Sequence, residues 1–168
     1  MAPILNHRSI RAFEHMSSDD AIILLATARG LQRVAIDGGT PRPLLRGKNL
    51  ALLCAAEDDG DAALFRRAAA ELGAHVAHLR PSLSASSTVQ EVHHTARLLG
   101  RLYDAVECHG MDPRLVRQVR LEADVPVYDG VACIGHPTAR LAGQLGNAAS
   151  LADNRHFIVQ AVLLNTLT

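Results

Sequence analysis

The sequence predicts an α/β fold in which a parallel four-stranded sheet is flanked by helices within a single domain. Short, continuously apolar segments such as 49–54 are typical of strands buried in a parallel sheet. They alternate with longer segments whose apolar residues recur at helical spacing, and repeated βα units of this length favour parallel strands. A chain of 168 residues can bury one such core and is short for two ordinary domains.

Capping and turn residues divide the chain into its elements. A polar cluster at 17–20 predicts the start of a first helix, and Gly30 is expected to lie near its end. Asp112 followed by Pro113 is typical of a helix start, and the Ser-rich segment 82–88 predicts a loop. Further strands are predicted over 74–79, 105–108 and 125–128. Two further helices are predicted over 61–72 and 89–102, a third begins at 113, and a fourth runs from 136 to the break at 146–147. The last predicted helix, over 153–167, is amphipathic.

Composition excludes several classes of protein. Seventeen basic residues balance seventeen acidic ones, so the sequence carries no electrostatic signature of a partner that is nucleic acid or an anionic membrane. No apolar run approaches the roughly 18 residues of a membrane span, and the first eight residues do not resemble a signal peptide. We therefore expect a cytoplasmic protein. Three widely spaced cysteines predict reduced core thiols rather than a disulfide framework or a zinc module.

Five sequence blocks occur in the same order in one enzyme family. The chain resembles the ornithine carbamoyltransferases over roughly residues 7–146, and the resemblance implies the fold of the carbamoyl-phosphate domain of aspartate/ornithine carbamoyltransferases. The blocks that carry it are LRGKNLAL (45–52), GAHV (73–76), TARLLGRLYD (95–104), VPV (125–127) and HPT (136–138).

The resemblance also implies how the chain is organised. Residues 1–146 correspond to the carbamoyl-phosphate domain, and residues 147–151 form a linker in place of the family's second, amino-acid-binding domain. Residues 152–168 are similar to the family's C-terminal helix and are expected to pack on the same domain. A helix that covers an otherwise exposed apolar face is what packing favours.

The residues that bind carbamoyl phosphate in the family are largely replaced. The family's Ser-Thr-Arg-Thr-Arg motif, at the start of the helix after the first strand, aligns with a segment that contains Asp58, Asp59 and Asp61. A ligand arginine aligns with His109. Carboxylates repel a phosphate dianion by on the order of 1 kcal/mol for each close contact in water. We therefore expect that carbamoyl phosphate does not bind in the family's manner.

Two ligand positions survive, His136 and Thr138. The residue that matches His136 polarises the carbamoyl carbonyl in the family, which makes His136 the candidate catalytic residue; a structural histidine at a helix start is the alternative interpretation. The aspartates also have two interpretations. They can cap a helix and complement its dipole, or together with His109 and His136 they can form a cation site.

These observations predict a non-catalytic binding or assembly protein with no cofactor. As the resemblance implies, we expect the chain to associate with itself as a homotrimer. A small molecule is a candidate ligand for the pocket that corresponds to the family's carbamoyl-phosphate site. The alternative is a repurposed enzyme, either a divergent carbamoyltransferase or one that uses a divalent metal. Its candidate metal ligands are Asp59, Asp61, His109 and His136. Cys108 beside His109 suggests a thiol–imidazole pair, but neighbours on a strand face opposite sides of the sheet.

Overall fold

A computed structural model describes residues 16–56 and 59–168. The candidate site residue Asp58 lies outside these described ranges, as do the first nine residues of the resemblance. The described chain forms one sheet of four parallel strands in the order β2-β1-β3-β4, with helices on both faces, so the predicted fold class is confirmed. The strands are β1 (Asn49–Leu53), β2 (His75–Leu79), β3 (Ala105–Cys108) and β4 (Val127–Asp129).

Five α-helices and one 3₁₀ helix connect and cover these strands in the described part of the chain. Ser17 caps the first helix and forms a reciprocal capping box with Asp20, as the polar cluster predicts. Asp112 likewise caps the helix that Pro113 opens. The helices are α1 (Ser18–Ile36), α2 (Gly60–Glu71), α3 (Val89–Leu102), α4 (Pro113–Ala123), the 3₁₀ helix (Pro137–Leu145) and α5 (Leu151–Leu167).

Alternate residues of β1 contribute to two separate cores. Leu50 and Leu52 pack on the face that α1, α2, the 3₁₀ helix and α5 cover. Ala51 and Leu53 pack on the opposite face, against α3 and α4. This alternation is the two-residue period of a strand, and it explains why a strand buried on both faces has a continuously apolar sequence.

Two predicted boundaries are wrong. α1 continues six residues beyond Gly30, because Gly30 is an exposed helical residue and the chain turns only at Gly38, which has a φ of +75°. β4 begins at Val127 rather than at residue 125. Pro126 has no N–H to donate to the sheet, although its carbonyl accepts a bond from the Val106 N–H at 2.9 Å.

The prediction that the last helix is amphipathic is also wrong, because α5 is buried on nearly all sides. Several of its polar residues bond to partners on other helices, whereas the buried His156 Nδ1 has no hydrogen-bond partner among the described residues. Asn154 accepts a bond from Gln32 of α1 at 2.8 Å, and His156 Nε2 donates to Glu71 of α2 at 2.6 Å. No helix in the described part of the chain is long and apolar enough to cross a membrane.

The contact between α3 and α4 depends on a glycine. A Cβ atom built on Gly100 would lie 1.7 Å from the carbonyl oxygen of Ala123, the last residue of α4. Because this obstacle is backbone, it cannot move aside as a flexible side chain would. Gly30 of α1 is a suitable comparison, since a Cβ atom there meets nothing within 4 Å.

We predict opposite effects for the same substitution in these two helices. Gly100→Ala is expected to lower the free energy of unfolding by about 3 kcal/mol or more, because α3 and α4 must separate. Gly30→Ala is expected to leave it unchanged or raise it by up to about 1 kcal/mol through helix propensity. Urea unfolding followed by circular dichroism measures both, and equal effects would contradict the assigned contact.

Candidate functional site

The candidate site lies at the carboxyl edge of the sheet, where the chain leaves β1, β3 and β4. The chain passes from β1 to β2 on one side of β1, whereas β3 and β4 lie on the opposite side of β1. The direction in which strands are added to the sheet therefore reverses between β1 and β3. Ligands of open α/β sheets bind at this kind of switch point. The backbone N–H of His109, which follows β3, donates to the Leu53 carbonyl at the end of β1 at 2.9 Å.

Asp59 closes the amino terminus of α2 with its own side chain. Its Oδ1 accepts bonds from the N–H groups of Asp61 at 2.9 Å and Ala62 at 3.2 Å. The capping interpretation of this acidic residue is therefore confirmed. The Ala62 N–H, and after it the bond to His109, hold the pKa of Asp59 below its usual value, so the carboxylate stays ionised.

His109 lies between an aspartate and a cysteine. Its Nε2 is 3.0 Å from Asp59 Oδ1, and its Nδ1 is 3.5 Å from Cys133 Sγ. The carboxylate can only accept a bond, so the ring proton belongs on Nε2 and Nδ1 presents a lone pair to the thiol. The side chain of His109 is 11% exposed, which leaves it little freedom to turn away from these partners.

Cys133 is the residue that sequence reasoning missed. It lies in the loop after β4, is half-buried and forms no disulfide. Burial and then the Asp61 carboxylate raise the pKa of its thiol to about 12. Glycine is favoured at position 130, because its φ is +65° and a Cβ would lie 2.9 Å from Cys133 Sγ. Cys108, the thiol beside His109 in sequence, is instead buried in β3.

The contact between Cys133 and His109 was difficult to foresee. The two residues are 24 positions apart in the sequence. The available signal is topological, since loops that follow adjacent parallel strands meet at one edge of the sheet.

Asp61 forms an ion pair with a residue of the C-terminal helix. Arg155 of α5 lies 3.2 Å from Asp61 Oδ1, and the same guanidinium nitrogen donates to the Ala132 carbonyl in the loop after β4. The sequence offered no reason to place Arg155 in the site, because the residue lies far from the other members along the chain. Its position ties α5 both to the start of α2 and to the loop that carries Cys133.

The two retained positions, His136 and Thr138, bond to each other. His136 Nδ1 accepts from the Thr138 hydroxyl at 2.8 Å and from the Thr138 N–H at 3.3 Å, which caps the 3₁₀ helix. Burial, followed by the charge of Arg120, lowers the pKa of His136 to about 4, so the ring is neutral near pH 7. This geometry is that of a structural histidine, and a catalytic role for His136 stays a prediction.

The loop after β4 is held in place by a buried carboxyl group of β3. Both oxygens of Glu107 lie 3.2 Å from the Val131 N–H, and desolvation by complete burial raises the pKa of Glu107 to about 8. The group is therefore mostly protonated at neutral pH.

A small cavity lies next to the loop after β4. It has a volume of about 10 Å³, which is room for about one water molecule, and it is lined by Thr138, Arg155 and Cys133.

The candidate metal ligands are engaged with other groups. Asp59 bonds to His109 and to the start of α2, Asp61 pairs with Arg155, and His136 caps the 3₁₀ helix. Among residues 16–56 and 59–168, no group of three or more histidines, cysteines, aspartates and glutamates is arranged to hold a metal ion. A metal at this position would require several of these bonds to be exchanged.

Fold and site together define a doubly wound α/β domain with a polar crevice at its switch point. Residues 8–145 match the sequence profile of the aspartate/ornithine carbamoyltransferase carbamoyl-P binding domain. The chain therefore belongs to this family. Among its relatives, an ornithine carbamoyltransferase of Cutibacterium acnes is 36% identical over 145 residues, which are 86% of this chain and 43% of that protein. A catabolic ornithine carbamoyltransferase of Burkholderia mallei is 34% identical over 138 residues, 82% of this chain and 41% of that protein.

Solved structures agree with the observed fold. An ornithine carbamoyltransferase from Pyrococcus furiosus aligns with a TM-score of 0.66 and 28% identity, over 80% of this chain and 42% of that one. An aspartate transcarbamoylase from Trypanosoma cruzi aligns with a TM-score of 0.62 and 23% identity, over 81% of this chain and 43% of that one. The chain thus spans less than half the length of the relatives that it matches.

The buried carboxyl of Glu107 generates a pH prediction. Its pKa rises from an unperturbed 4.5 to about 8, so between these values the folded state holds a proton that the unfolded chain has lost. This carboxyl therefore lowers the free energy of unfolding by up to about 1.4 kcal/mol per pH unit as pH rises from about 5 to 8. Glu107→Gln is expected to remove this loss, so that the variant gains stability relative to wild type as pH rises.

Urea unfolding at pH 5, 7 and 9 measures this effect as the difference between variant and wild type. Glu122→Gln is the matched control, because the side chain of Glu122 is 42% exposed and pairs with His93 on the surface. A difference between Glu107→Gln and wild type that does not change with pH would show that Glu107 ionises normally in the folded protein.

Proposed function

We propose that this carbamoyltransferase-family domain no longer transfers a carbamoyl group from carbamoyl phosphate and serves as a non-catalytic binding or assembly protein. One observation carries the proposal: the carboxylate of Asp59 occupies the N–H groups at the start of α2. The resemblance of the sequence to ornithine carbamoyltransferases implies that the phosphate would bind at these groups. The cytoplasmic location predicted from the sequence is part of this proposal.

A phosphate that binds at the start of α2 would have to displace existing hydrogen bonds. Helix amino termini attract anions because their N–H groups are unpaired. Here Asp59 already accepts from two of these groups and also holds His109 at 3.0 Å. A phosphate dianion would break all three bonds and would then lie beside the carboxylates of Asp59 and Asp61. Each close repulsion costs on the order of 1 kcal/mol even when it is well solvated.

A different part of the carboxyl edge offers room for another ligand. A cavity of about 320 Å³ lies between the segment after β2 and helix α3. It is mainly apolar, and Arg80, Thr95 and Tyr103 supply polar groups at its wall. Pockets of this volume and composition suit a small, mostly apolar molecule with one anionic or polar group. This cavity supports the binding role and does not involve the acidic residues at α2.

The alternative function is an enzyme that uses the old pocket for other chemistry. The favouring observation is the contact of Cys133 and His109 at 3.5 Å, with Asp59 on the other side of the imidazole. The metal-dependent version of this alternative needs Asp59, Asp61 and His109 to exchange their present bonds for bonds to an ion. We therefore favour the metal-free version.

We predict that substitution of Asp59, the cap residue of α2, changes the binding of carbamoyl phosphate, whereas substitution of Asp112, the cap residue of α4, does not. Wild-type protein is expected to give no saturable heat with carbamoyl phosphate up to about 1 mM, and to form no citrulline when ornithine is added. Asp59→Ser is expected to show weak but measurable binding of carbamoyl phosphate, because serine can still cap the helix but removes a negative charge that repels the phosphate.

Asp112→Ser is the matched control, because Asp112 caps α4 in the same way, with its Oδ1 2.8 Å from the Arg114 N–H. Isothermal titration calorimetry measures all three proteins. Saturable binding of carbamoyl phosphate to the wild type, or citrulline formation, would overturn the proposal. Equal gains in the two serine variants would show that Asp59 has no special part in excluding the phosphate.

The assembly part of the proposal is a homotrimer, which the family resemblance implies. An exposed apolar surface supports it: Leu98 and Leu102 of α3 are 48% and 59% exposed and border the cavity of about 320 Å³. Contiguous apolar surface of this kind is typical of sites of protein association.

Multi-angle light scattering is expected to give about three times the chain mass of 18.0 kDa. Leu102→Lys is expected to shift the protein to a monomer, because a charge would be buried in the interface. Leu121→Lys on α4, where the leucine is 78% exposed, is the matched control and should leave the mass unchanged. A monomeric wild type would contradict the trimer.

A further inference from the structure

Three side chains from three loops at the carboxyl edge form one hydrogen-bonded line. Asp59 Oδ1 lies 3.0 Å from His109 Nε2, and His109 Nδ1 lies 3.5 Å from Cys133 Sγ. A carboxylate, an imidazole and a thiol in this order are the parts of a base-assisted nucleophile. Recognition of such a group depends on geometry, since the same order of side chains occurs on unrelated folds.

We propose that Cys133 is a nucleophile, that His109 takes its proton, and that the thiol forms a covalent bond with a small uncharged electrophile such as an activated carbonyl compound. This proposal rests on the alternative function, an enzyme that uses the crevice for other chemistry, and it would replace the non-catalytic role; the loss of carbamoyl transfer does not depend on it. It specifies the residues and the class of substrate for chemistry in the crevice.

The orientation of the imidazole is fixed by the fold. Asp59 cannot rotate freely, because the same oxygen that faces His109 accepts bonds from the first N–H groups of α2. An ionised aspartate on Nε2 keeps the proton at that nitrogen and leaves Nδ1 as the base. It also stabilises the imidazolium that forms when Nδ1 accepts the thiol proton.

The charges around Cys133 explain why a base is needed. Burial, followed by the carboxylates of Asp61 and Asp59 at the start of α2, disfavours a thiolate and raises the pKa of Cys133 to about 12. The cationic group on the other side is Arg155 of α5, which is paired with Asp61. The resting thiol is therefore protonated at neutral pH, and its reactivity depends on proton transfer to His109.

The same charges and the available space select the electrophile. Carboxylates near Sγ repel anionic reagents, whereas an uncharged molecule meets no such barrier. The cavity that Cys133 lines with Thr138 and Arg155 has a volume of about 10 Å³, which holds at most about one water molecule, so an electrophile must reach Sγ from the exposed side of the half-buried thiol. A small uncharged carbonyl compound or amide satisfies both limits.

The chemical step is balanced without an oxidant, a reductant or a metal. The Sγ–H proton moves to His109 Nδ1 while the Sγ–C bond forms at the electrophilic carbon. The bond from that carbon to its leaving group breaks, and the leaving group departs with the bonding electron pair. It then takes the proton from the imidazolium, which restores the neutral ring for the next step.

Alkylation of the intact chain tests this proposal. The reagent is iodoacetamide, which is uncharged, and the site of modification is read by peptide mass spectrometry. Cys54 and Cys108 are internal controls because both thiols are buried. Cys133 is expected to react first. Its rate should be nearly independent of pH between about 8 and 10, since the proton moves to His109 and not to hydroxide.

Substitutions should change the rate in opposite directions. His109→Gln, which removes the base, is expected to slow alkylation at pH 8 by at least about tenfold and to give a rate that rises about tenfold per pH unit. Asp61→Asn is expected to accelerate it, because a carboxylate that disfavours the thiolate is removed. His93→Gln, at an exposed histidine of α3, is the control, and thermal melting checks that each variant is folded.

The ratio of the alkylation rates with an uncharged and an anionic reagent distinguishes Cys133 from a thiol that is merely exposed. Relative to a free cysteine peptide, Cys133 should prefer iodoacetamide over the anionic iodoacetate by at least about tenfold. The proposal is overturned if folded His109→Gln reacts like wild type, or if the wild-type rate rises tenfold per pH unit. Equal rates with the two reagents would overturn the assigned class of electrophile.

Discussion

The carboxylate of Asp59 is the group on which the rest of the site depends. One of its oxygens satisfies the N–H groups of Asp61 and Ala62 and also binds His109 at 3.0 Å. A carboxylate that accepts from these N–H groups satisfies the donors that attract an external anion at an empty helix amino terminus. The same interaction that stabilises α2 therefore supports the proposed exclusion of phosphate and sets the orientation of the imidazole.

The C-terminal helix connects this site to the hydrophobic core. α5 is surrounded by α1, α2 and the 3₁₀ helix, and its buried polar residues Asn154 and His156 bond to neighbouring helices. Arg155, between them in the sequence, points the other way and pairs with Asp61. Because burial fixes α5 on both sides, the guanidinium is held in place without a dedicated loop, and it compensates one of the carboxylates that make the crevice acidic.

The sequence was sufficient for the fold and insufficient for the site, and the reason is physical. β1, β3 and the caps at Ser17 and Asp112 follow from local patterns, which depend on neighbours in the chain. The burial of α5 could not be predicted, since its polar residues suggest an exposed face until their partners on other helices are known. The contact of Cys133 with His109 requires the strand order, which places β4 beside β3.

The geometry at Cys133 is maintained by two buried side chains that hold the loop after β4. Glu107 holds the backbone at Val131, and His136 closes the same loop where the 3₁₀ helix begins. A side chain is positioned most accurately when the groups that support it are themselves buried and bonded. The family's retained histidine thus contributes to the placement of a residue that sequence comparison would not select. The residues that anchor the loop, Glu107 and His136, are therefore separate from the residues that meet at the crevice, Cys133 and His109.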